Sequence, residues 1–263
     1  DDYTAKIKVF VRNTWDWVTL RLKKSDVDYI LRHCAMRKAL NPTLRRRGKE
    51  WFLDFSFQEK VDLSDTEALE RRIVAVDLGV NTPATISVMQ SDGTILDRKF
   101  YKLSKEQDSL LHALNRIKKA QQNHCLSTPR LWAKVKGINR DISVKTAQYI
   151  VDTAVLYDAD VIVFEHLNVR GKKKGSKKQR LHHWRSQEVQ RIVTDKAHRL
   201  GIHISRINPY GTSHYAYDGS GQVLRGKNAN LSTYELCKFQ TGKTYNCDLS
   251  ASYNIGARYF IRE

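Results

Sequence analysis

The chain has 263 residues, 41% of them hydrophobic and 10% aromatic, so it can bury a sizeable core and is not a disordered tail. Its 46 Lys and Arg against 28 Asp and Glu give a formal net charge of +18, which favours a nucleic acid as partner over a merely soluble basic protein. No apolar run approaches the roughly 20 residues that a membrane-spanning helix needs, and no basic amphipathic segment has an apolar anchoring face, so we expect no membrane partner. The four cysteines suggest free thiols in a cytoplasmic protein rather than a secreted disulfide framework.

Residues 1–70 are predicted to form a small antiparallel β module. Polar and apolar residues alternate over 15–22 and 50–57, as in strands with one buried face, and a short helix is predicted over 24–34. A basic turn precedes the second alternating segment, and it contains three candidate nucleic-acid contacts: Arg45, Arg46 and Arg47. A charged linker over 63–72 then leads into a different pattern.

An apolar segment over 73–77 predicts a buried strand that ends in Asp77. Strands over 84–89 and 95–100 follow, joined by a loop that contains Asp92 and Gly93, a strong hairpin signal. These three strands are predicted to form an antiparallel meander.

Two long helices come next. The first has an apolar face between Leu103 and Ile117, and the second has one between Leu131 and Val155. Basic residues surround both faces. A solvated charged surface and a surface that faces nucleic acid explain these residues equally well.

Residues 161–164 are all apolar, as expected for a strand covered on both faces, and Glu165 follows them. The segment 170–180 is rich in Gly, Ser and Lys and too charged to pack, so a phosphate-contacting loop and plain disorder are both compatible with it. Its candidate contacts are Lys172, Lys173, Lys174, Lys177, Lys178 and Arg180. A helix over 186–200 and a strand over 203–207 complete a βαβ-like unit. Residues 209–247 show little periodicity, and a last helix is predicted over 248–259.

Three acidic residues in different settings form the candidate site. Asp77 and Glu165 end strands and project at a sheet edge, where α/β folds bind ligands, and Asp248 opens the last helix. Each has an ordinary interpretation by itself, as a turn residue, a paired or exposed carboxylate, and a helix N-cap respectively. Together, on a strongly basic protein, they suggest a divalent-metal site acting on a polyanion, because phosphodiester cleavage by two ions needs such carboxylates and Mg²⁺ prefers oxygen ligands. Gly79 would let the chain turn sharply beside the metal.

The contexts of these acids resemble the RuvC-I, RuvC-II and RuvC-III motifs of the TnpB (OrfB) family, the transposon-encoded RNA-guided nucleases related to type V CRISPR effectors. The matching segments are 76–81, 161–167 and 248–255, and 209–213 resembles the Thr-Ser element before the family's zinc finger. The resemblance implies an α/β fold: an RNase H-like (RuvC) nuclease domain with a mixed sheet flanked by helices. It also implies two Mg²⁺ (or Mn²⁺) ions held by the catalytic residues Asp77, Glu165 and Asp248, a guide RNA and a DNA target.

The resemblance divides the chain into four parts. Residues 1–70 are more weakly similar to part of the family's β-rich wedge domain, and 71–208 form the first part of the nuclease domain. Residues 209–247 form a degenerate zinc-finger-like insert, and 248–263 supply the last helix of the nuclease domain. The family's N-terminal helical region, which helps to hold guide and target, is not visible in the sequence.

Two departures concern the insert. The family's finger has two Cys-x-x-Cys pairs, whereas here the first pair is missing and the second is reduced to Cys237, so a Cys₄ zinc site cannot form and zinc is not expected. An improvised site from Cys237, Cys247 and His214 is the remaining alternative. Cys247 also stands where the family usually has an arginine, before the last acidic residue.

Three functions are compatible with these patterns. The first is an RNA-guided DNA endonuclease with a two-metal-ion mechanism, which the intact acidic trio favours. The second is a non-cleaving RNA-guided DNA-binding or transposon accessory protein, which the missing zinc ligands and N-terminal region favour. The third is an unguided RNase H-like nuclease or a resolvase. None of them acts on a small-molecule substrate.

Overall fold

A computed structural model describes residues 3–125, 127–167, 177–229, 231, 233 and 235–262, without the side chains of 177–183, 227 and 228. The chain divides into two compact units, Asp1–Lys60 (unit 1) and Val61–Glu263 (unit 2). This division precedes the predicted boundary at residue 70. The predicted linker belongs to unit 2 because Ser64 and Thr66 each donate a 2.6 Å hydrogen bond to the carboxylate of Asp160.

The described residues of unit 1 form three antiparallel strand pairs and one helix. Strands β1 (Thr4–Val11) and β2 (Thr14–Arg21) form a hairpin, and helix α1 (Lys24–Cys34) follows. Strand β3 (Lys38–Ala39) pairs with β6 (Phe57–Gln58), and β4 (Thr43–Arg47) pairs with β5 (Glu50–Asp54). The antiparallel pairing and the helix that the sequence predicts are confirmed.

Unit 2 is built around a mixed five-stranded sheet. Its strands are β7 (Ile73–Asp77), β8 (Ala84–Met89), β9 (Ile95–Tyr101), β10 (Val161–Glu165) and β11 (His203–Ile207). Their order in the sheet is β11-β10-β7-β8-β9. The first three strands form the predicted antiparallel meander, and β10 lies parallel to both β7 and β11. The predicted mixed sheet is therefore confirmed.

Helices cover both faces of this sheet. On one face, α3 (Pro129–Leu156) and α4 (Lys177–His198) pack against Val74, Ile86 and Phe164. On the other face, α5 (Cys247–Arg262) packs against Ile73, Ala75 and Val163. Helix α2 (Ser104–Gln122) packs on α3, in the helix layer of the first face. In the described part of the chain, none of these helices is both long and apolar enough to cross a membrane.

The start of α4 corrects one prediction. The helix begins at Lys177, nine residues before the predicted start at Ser186. Its first turns carry Lys, Gln, Arg and Leu, which are good helix formers, although their charge made them look like part of a loop.

The segment between β11 and α5 contains a small antiparallel sheet. Strands β12 (Leu224–Arg225), β13 (Leu236–Lys238) and β14 (Thr244–Asn246) form it, with a 3₁₀ turn over Gly226–Ala229. Its core contains Ala216, Cys237 and Phe239, against which Tyr217 and Tyr245 pack. The sequence showed little periodicity here because strands of two or three residues are too short to display one.

Candidate active site

Two of the predicted acids lie at the ends of neighbouring parallel strands. The register of β10 with β7 pairs Phe164 with Val76, so the next residues, Glu165 and Asp77, both reach the carboxyl edge of the sheet. Both residues keep some accessible surface, whereas the residues before them are buried. The strand pairing therefore brings these two acids to one edge, as predicted.

The third acid lies in the first turn of α5. The structure assigns the cap of this helix to Asn246, whose Oδ1 accepts a 2.9 Å hydrogen bond from the backbone N–H of Leu249. The alternative interpretation of Asp248 as the N-cap is therefore wrong, because α5 begins one residue earlier than predicted. The carboxylate of Asp248 is not used for capping.

Small residues fix α5 against the sheet. Ser252 and Ser87 share a short hydrogen bond between their hydroxyls, and Gly256 lies over Ala75 and Met89. A Cβ on Gly256 would overlap the sulfur of Met89 and crowd the Cβ of Ala75, so a larger residue would require the Met89 side chain to move. Because Asp248, Ser252 and Gly256 are four residues apart, they share one helix face, and Asp248 lies toward the carboxyl edge of the sheet.

The electrostatics link Asp77 to both other acids. Burial raises the pKa of Asp77 well above its usual range, and the carboxylates of Glu165 and Asp248 raise it further. The guanidinium of Arg225 on β12 opposes this rise. Asp77 is therefore the acid that interacts with both of the others.

The other two acids are perturbed in the same direction. Burial raises the pKa of Glu165, against a hydrogen bond from Thr212 and the charge of Arg258. Burial also raises the pKa of Asp248, against the charge of Arg225. Desolvated carboxylates that repel one another are the arrangement that a bound cation relieves.

The carboxylate oxygens at this edge are suited to a hard divalent cation, but the side chains do not form a closed coordination shell. In the described ranges, no group of three or more His, Cys, Asp or Glu side chains is arranged to hold a metal ion. Mg²⁺ usually keeps several waters and binds protein through one or two carboxylates, so the oxygen donors at this edge fit a hydrated ion. The metal role of the trio, and of any improvised Cys–His site, stays a prediction.

A chain of hydrogen bonds orients Glu165. Thr212 donates a short hydrogen bond to its Oε1, and Gln190 donates to its backbone carbonyl at 2.9 Å. Asn254 on α5 holds the Thr212 loop through 2.8 Å hydrogen bonds to the carbonyls of Thr212 and Tyr215. The sequence motifs contained Thr212 and Asn254, but nothing in their spacing indicated that they meet.

A buried arginine supports the loop after Asp77. Arg185 on α4 donates to the carbonyls of Gly79 and Val80, both at 3.3 Å, and burial lowers its pKa to about 10. Gly79 does not adopt a left-handed conformation. It is required because an added Cβ would lie 2.7 Å from the carbonyl oxygen of Thr82. Sequence reasoning missed Arg185, since it precedes the predicted start of its helix.

Arg225 is a second cation that sequence reasoning missed. Its Nη2 donates a 2.6 Å hydrogen bond to the carbonyl of Ser213, next to the Thr212 that orients Glu165. Its register partner is Cys237, which contacts Cys247 just before Asp248. In the sequence, Arg225 is only one basic residue in the segment 209–247, which shows little periodicity, and nothing marks it as part of the site.

The predicted basic contacts are only partly described. In unit 1, Arg45 pairs with Asp54 at 2.5 Å, while Arg46 lies 5.8 Å from the ring centre of Trp51 and Arg47 lies 5.4 Å from that of Phe52. Lys172, Lys173 and Lys174 fall outside the described residues. Lys177, Lys178 and Arg180 lie in α4, but their side chains are likewise outside the description. Their role as contacts stays a prediction.

The two cysteines of the insert are buried and neighbouring thiols. Burial raises the pKa of Cys237, and it raises that of Cys247 to about 12. Without a metal, both thiols are therefore protonated at neutral pH. Together with Phe239 and the surrounding tyrosines, they form an apolar core.

Comparisons with known proteins agree with the predicted resemblance. No protein-family model matches the chain. Over 230 residues, the chain is 27% identical to a TnpB-like protein of Aquifex aeolicus (strain VF5), a match that covers 80% of this chain and 74% of that protein.

Two solved structures have a similar fold. A Cas12f1–sgRNA–target DNA complex matches 81% of this chain and 54% of its own, with a TM-score of 0.53 and 18% identity. An AacC2c1–sgRNA binary complex matches 99% of this chain and 48% of its own, with a TM-score of 0.51 and 10% identity. The chain thus spans about half the length of these structures. The predicted resemblance is confirmed: the chain is similar to a TnpB-like protein over most of its length, and it folds like the matched parts of Cas12f1 and C2c1.

Proposed function

We propose that the chain carries the RNase H-like (RuvC) nuclease domain of an RNA-guided DNA endonuclease. One observation supports this most: Asp77 and Glu165 share a sheet edge, and Asp77 interacts electrostatically with both Glu165 and Asp248. The whole chain carries a formal net charge of +18, which would attract a polyanionic substrate despite the negative charge of the acidic centre.

The catalytic chemistry would combine a divalent cation with the chain's own residues. Bound Mg²⁺ or Mn²⁺ would supply an activated water and stabilise the leaving oxygen of the phosphodiester. Asp77, Glu165 and Asp248 would hold the cations, and the mutual repulsion of the acids would favour cation binding. Thr212 keeps Glu165 in one orientation, so the carboxylate is ordered before the cation arrives.

Arg225 would act on the substrate side of the site. Its charge reaches both Asp77 and Asp248, and its backbone contact with Ser213 holds it beside the Glu165 loop. A guanidinium there is suited to pair with a phosphate oxygen of the scissile strand. The insert would in this way contribute a cation although Cys247 replaces the family's arginine.

We infer a guide RNA and a target DNA as partners. The Cas12f1 structure contains an sgRNA and a target DNA, and the motifs of this chain resemble those of the RNA-guided TnpB family. Unit 1 supports nucleic-acid binding, because cationic side chains lie over its exposed aromatic rings.

Removal of single carboxylate charges tests the site. Asp77→Asn, Glu165→Gln and Asp248→Asn should each lower Mg²⁺-dependent cleavage of single-stranded DNA by roughly 100-fold or more, because an active-site ligand is lost. The matched control is Asp92→Asn in the β8–β9 turn, at the opposite end of β8 from Asp77, which should cleave like the wild type. Equal cleavage by Asp77→Asn and the wild type would show that the site is assigned wrongly.

A non-cleaving RNA-guided binding protein is the second candidate. The observation in its favour is that no three-ligand metal group is arranged among the described residues. Tight binding of RNA without metal-dependent turnover would support it. A discrete structured RNA that copurifies with the protein would in turn exclude the unguided nuclease or resolvase.

A further inference from the structure

One buried hydroxyl at the acidic edge has no hydrogen-bond partner. Thr85 on β8 is 1% exposed, and its Oγ1 makes no hydrogen bond within the part of the chain that the structure describes. A buried hydroxyl left unpaired costs about 1–3 kcal/mol. Valine has the same shape without this cost, so a residue that only filled space here would be better as valine.

Strand register directs Thr85 to the acidic site. Thr85 is the direct partner of Asp77 in the antiparallel pairing of β8 with β7. Directly opposed residues have their side chains on the same face of a sheet, with Cβ atoms about 4.5–5.5 Å apart. The side chain of Thr85 therefore lies next to that of Asp77, on the face that α5 covers.

The packing of α5 brings the third acid to the same point. Along β8, the next residue on this face is Ser87, whose hydroxyl bonds to Ser252. Asp248 lies one helical turn before Ser252 on α5, and Thr85 lies two residues before Ser87 on the same face of β8. The two elements run alongside each other, so Thr85 lies beneath the first turn of α5.

The hydroxyls of Ser87 and Thr85 on β8 differ in their hydrogen bonds, and only the one next to Asp77 is unpaired. Ser87 and Ser252 satisfy each other, and Ser252 also donates to the carbonyl of Leu249 at 2.8 Å. Thr85 has no such partner among the described residues.

We propose that Thr85 is a positioning residue that acts through Asp77. Its hydroxyl donates to the Asp77 carboxylate when a divalent cation is bound and holds one carboxylate oxygen toward the cation. This rests on the proposed function, because it assumes that Asp77 is a ligand. The unpaired hydroxyl lowers the stability of the metal-free protein, and its orientation is used only when the cation is bound.

Isosteric variants separate this role from packing. Thr85→Val removes the hydroxyl, and Thr85→Ser keeps it. The matched control is Thr146→Val on α3, because Thr146 is also buried and unpaired among the described residues but lies in the helix layer on the other face of the sheet. Thr85→Ala gives a second hydroxyl-free variant should valine disturb the packing.

Three measurements on the whole chain give the test: thermal unfolding without metal, Mn²⁺ binding by calorimetry, and Mn²⁺-dependent cleavage. We expect Thr85→Val and Thr146→Val to unfold at or above the wild-type temperature, since each loses an unpaired buried hydroxyl. Thr85→Val should bind Mn²⁺ and cleave about 10-fold more weakly, as is typical when a group that orients a metal ligand is removed. Thr85→Ser and Thr146→Val should bind and cleave like the wild type.

The outcomes distinguish this inference from the proposed function. If Asp77→Asn abolishes Mn²⁺ binding while Thr85→Val and Thr85→Ala bind it like the wild type, the role of Thr85 is refuted and the acidic site stands. If Asp77→Asn binds Mn²⁺ normally, the metal site itself is wrong and the role of Thr85 falls with it. If Thr85→Ser is as weak as Thr85→Val, the methyl group and not the hydroxyl matters, which also overturns the proposal.

Discussion

The two units of the chain use apolar residues in opposite ways. In unit 2, the sheet strands β7, β8 and β10 are buried almost throughout. In unit 1, none of the described residues is buried, and Trp17 and Trp51 are 61% and 62% exposed. Apolar residues therefore form a core in unit 2 and stay largely exposed in unit 1.

Sheet size explains the difference. The described strands of unit 1 form two-stranded pairs, which cannot enclose a core, whereas the five strands of unit 2 have helices on both faces. The exposed rings of unit 1 lie under cations, as with Lys8 over Trp17 at 5.9 Å and Arg46 over Trp51 at 5.8 Å. Such rings are suited to stack on bases while the cations contact phosphates.

The largest expected effect is on the core of unit 2. Phe164→Ala should lower the free energy of unfolding by about 3–5 kcal/mol, because Phe164 is fully buried between the sheet and its helices. Trp17→Ala, a larger truncation, should change it by only about 0.5 kcal/mol or less, since Trp17 is exposed. Urea unfolding followed by circular dichroism measures both. Similar losses for the two variants would break the contrast between the units.

An intermediate effect on the free energy of unfolding is expected at Asp160, whose hydrogen bonds connect the first residues of unit 2 to the start of β10. Burial alone would raise the pKa of Asp160, but hydrogen bonds from Ser64, Thr66 and the backbone N–H of Arg72 outweigh it and lower the pKa. Asp160→Asn should therefore cost roughly 2 kcal/mol of unfolding free energy at pH 7, as hydrogen bonds to a charged group are lost.

The sign of this pKa shift predicts the pH dependence. A lowered pKa in the folded state adds stability above the ordinary pKa of Asp, about 4, and this stability is lost as pH falls through the folded value. The difference in melting temperature between wild type and Asp160→Asn should therefore be large at pH 7 and shrink below about pH 4. Asp152→Asn on the exposed surface of α3 is the control and should show little difference at either pH. A constant difference would mean that the charge of Asp160 is not involved.

The smallest expected effect is on nucleic-acid binding by unit 1. Trp51→Ala should weaken the binding of single-stranded RNA by about 1 kcal/mol, roughly fivefold, because one stacking surface is lost. The folded structure should be unaffected, since Trp51 is exposed. Fluorescence anisotropy at two salt concentrations measures the affinity. Leu156→Ala, at an equally exposed apolar residue in unit 2, is the control. An equal loss in both variants would argue against a specific role of the unit 1 rings.

Sequence reasoning was most successful where apolar runs are continuous. Strands β7 and β10 were predicted nearly as the structure has them, because a strand buried on both faces needs an unbroken apolar segment and ends where a charge appears. It was least successful where charge and short length hide the structure. The early start of α4 and the small sheet of β12, β13 and β14 are both of this kind.

The sequence alone determined the mixed sheet and the positions of Asp77, Glu165 and Asp248 along their elements. Only the tertiary structure decided which groups surround these acids. Arg185 donates a hydrogen bond to Gly79 although the two are 106 residues apart in the sequence, and Asn254 donates one to Thr212 across 42 residues. Such contacts depend on the packing of α4 and α5 against the sheet, which has no local sequence pattern. The unpaired hydroxyl of Thr85 likewise follows from strand register and the close approach of Gly256, not from its neighbours in the chain.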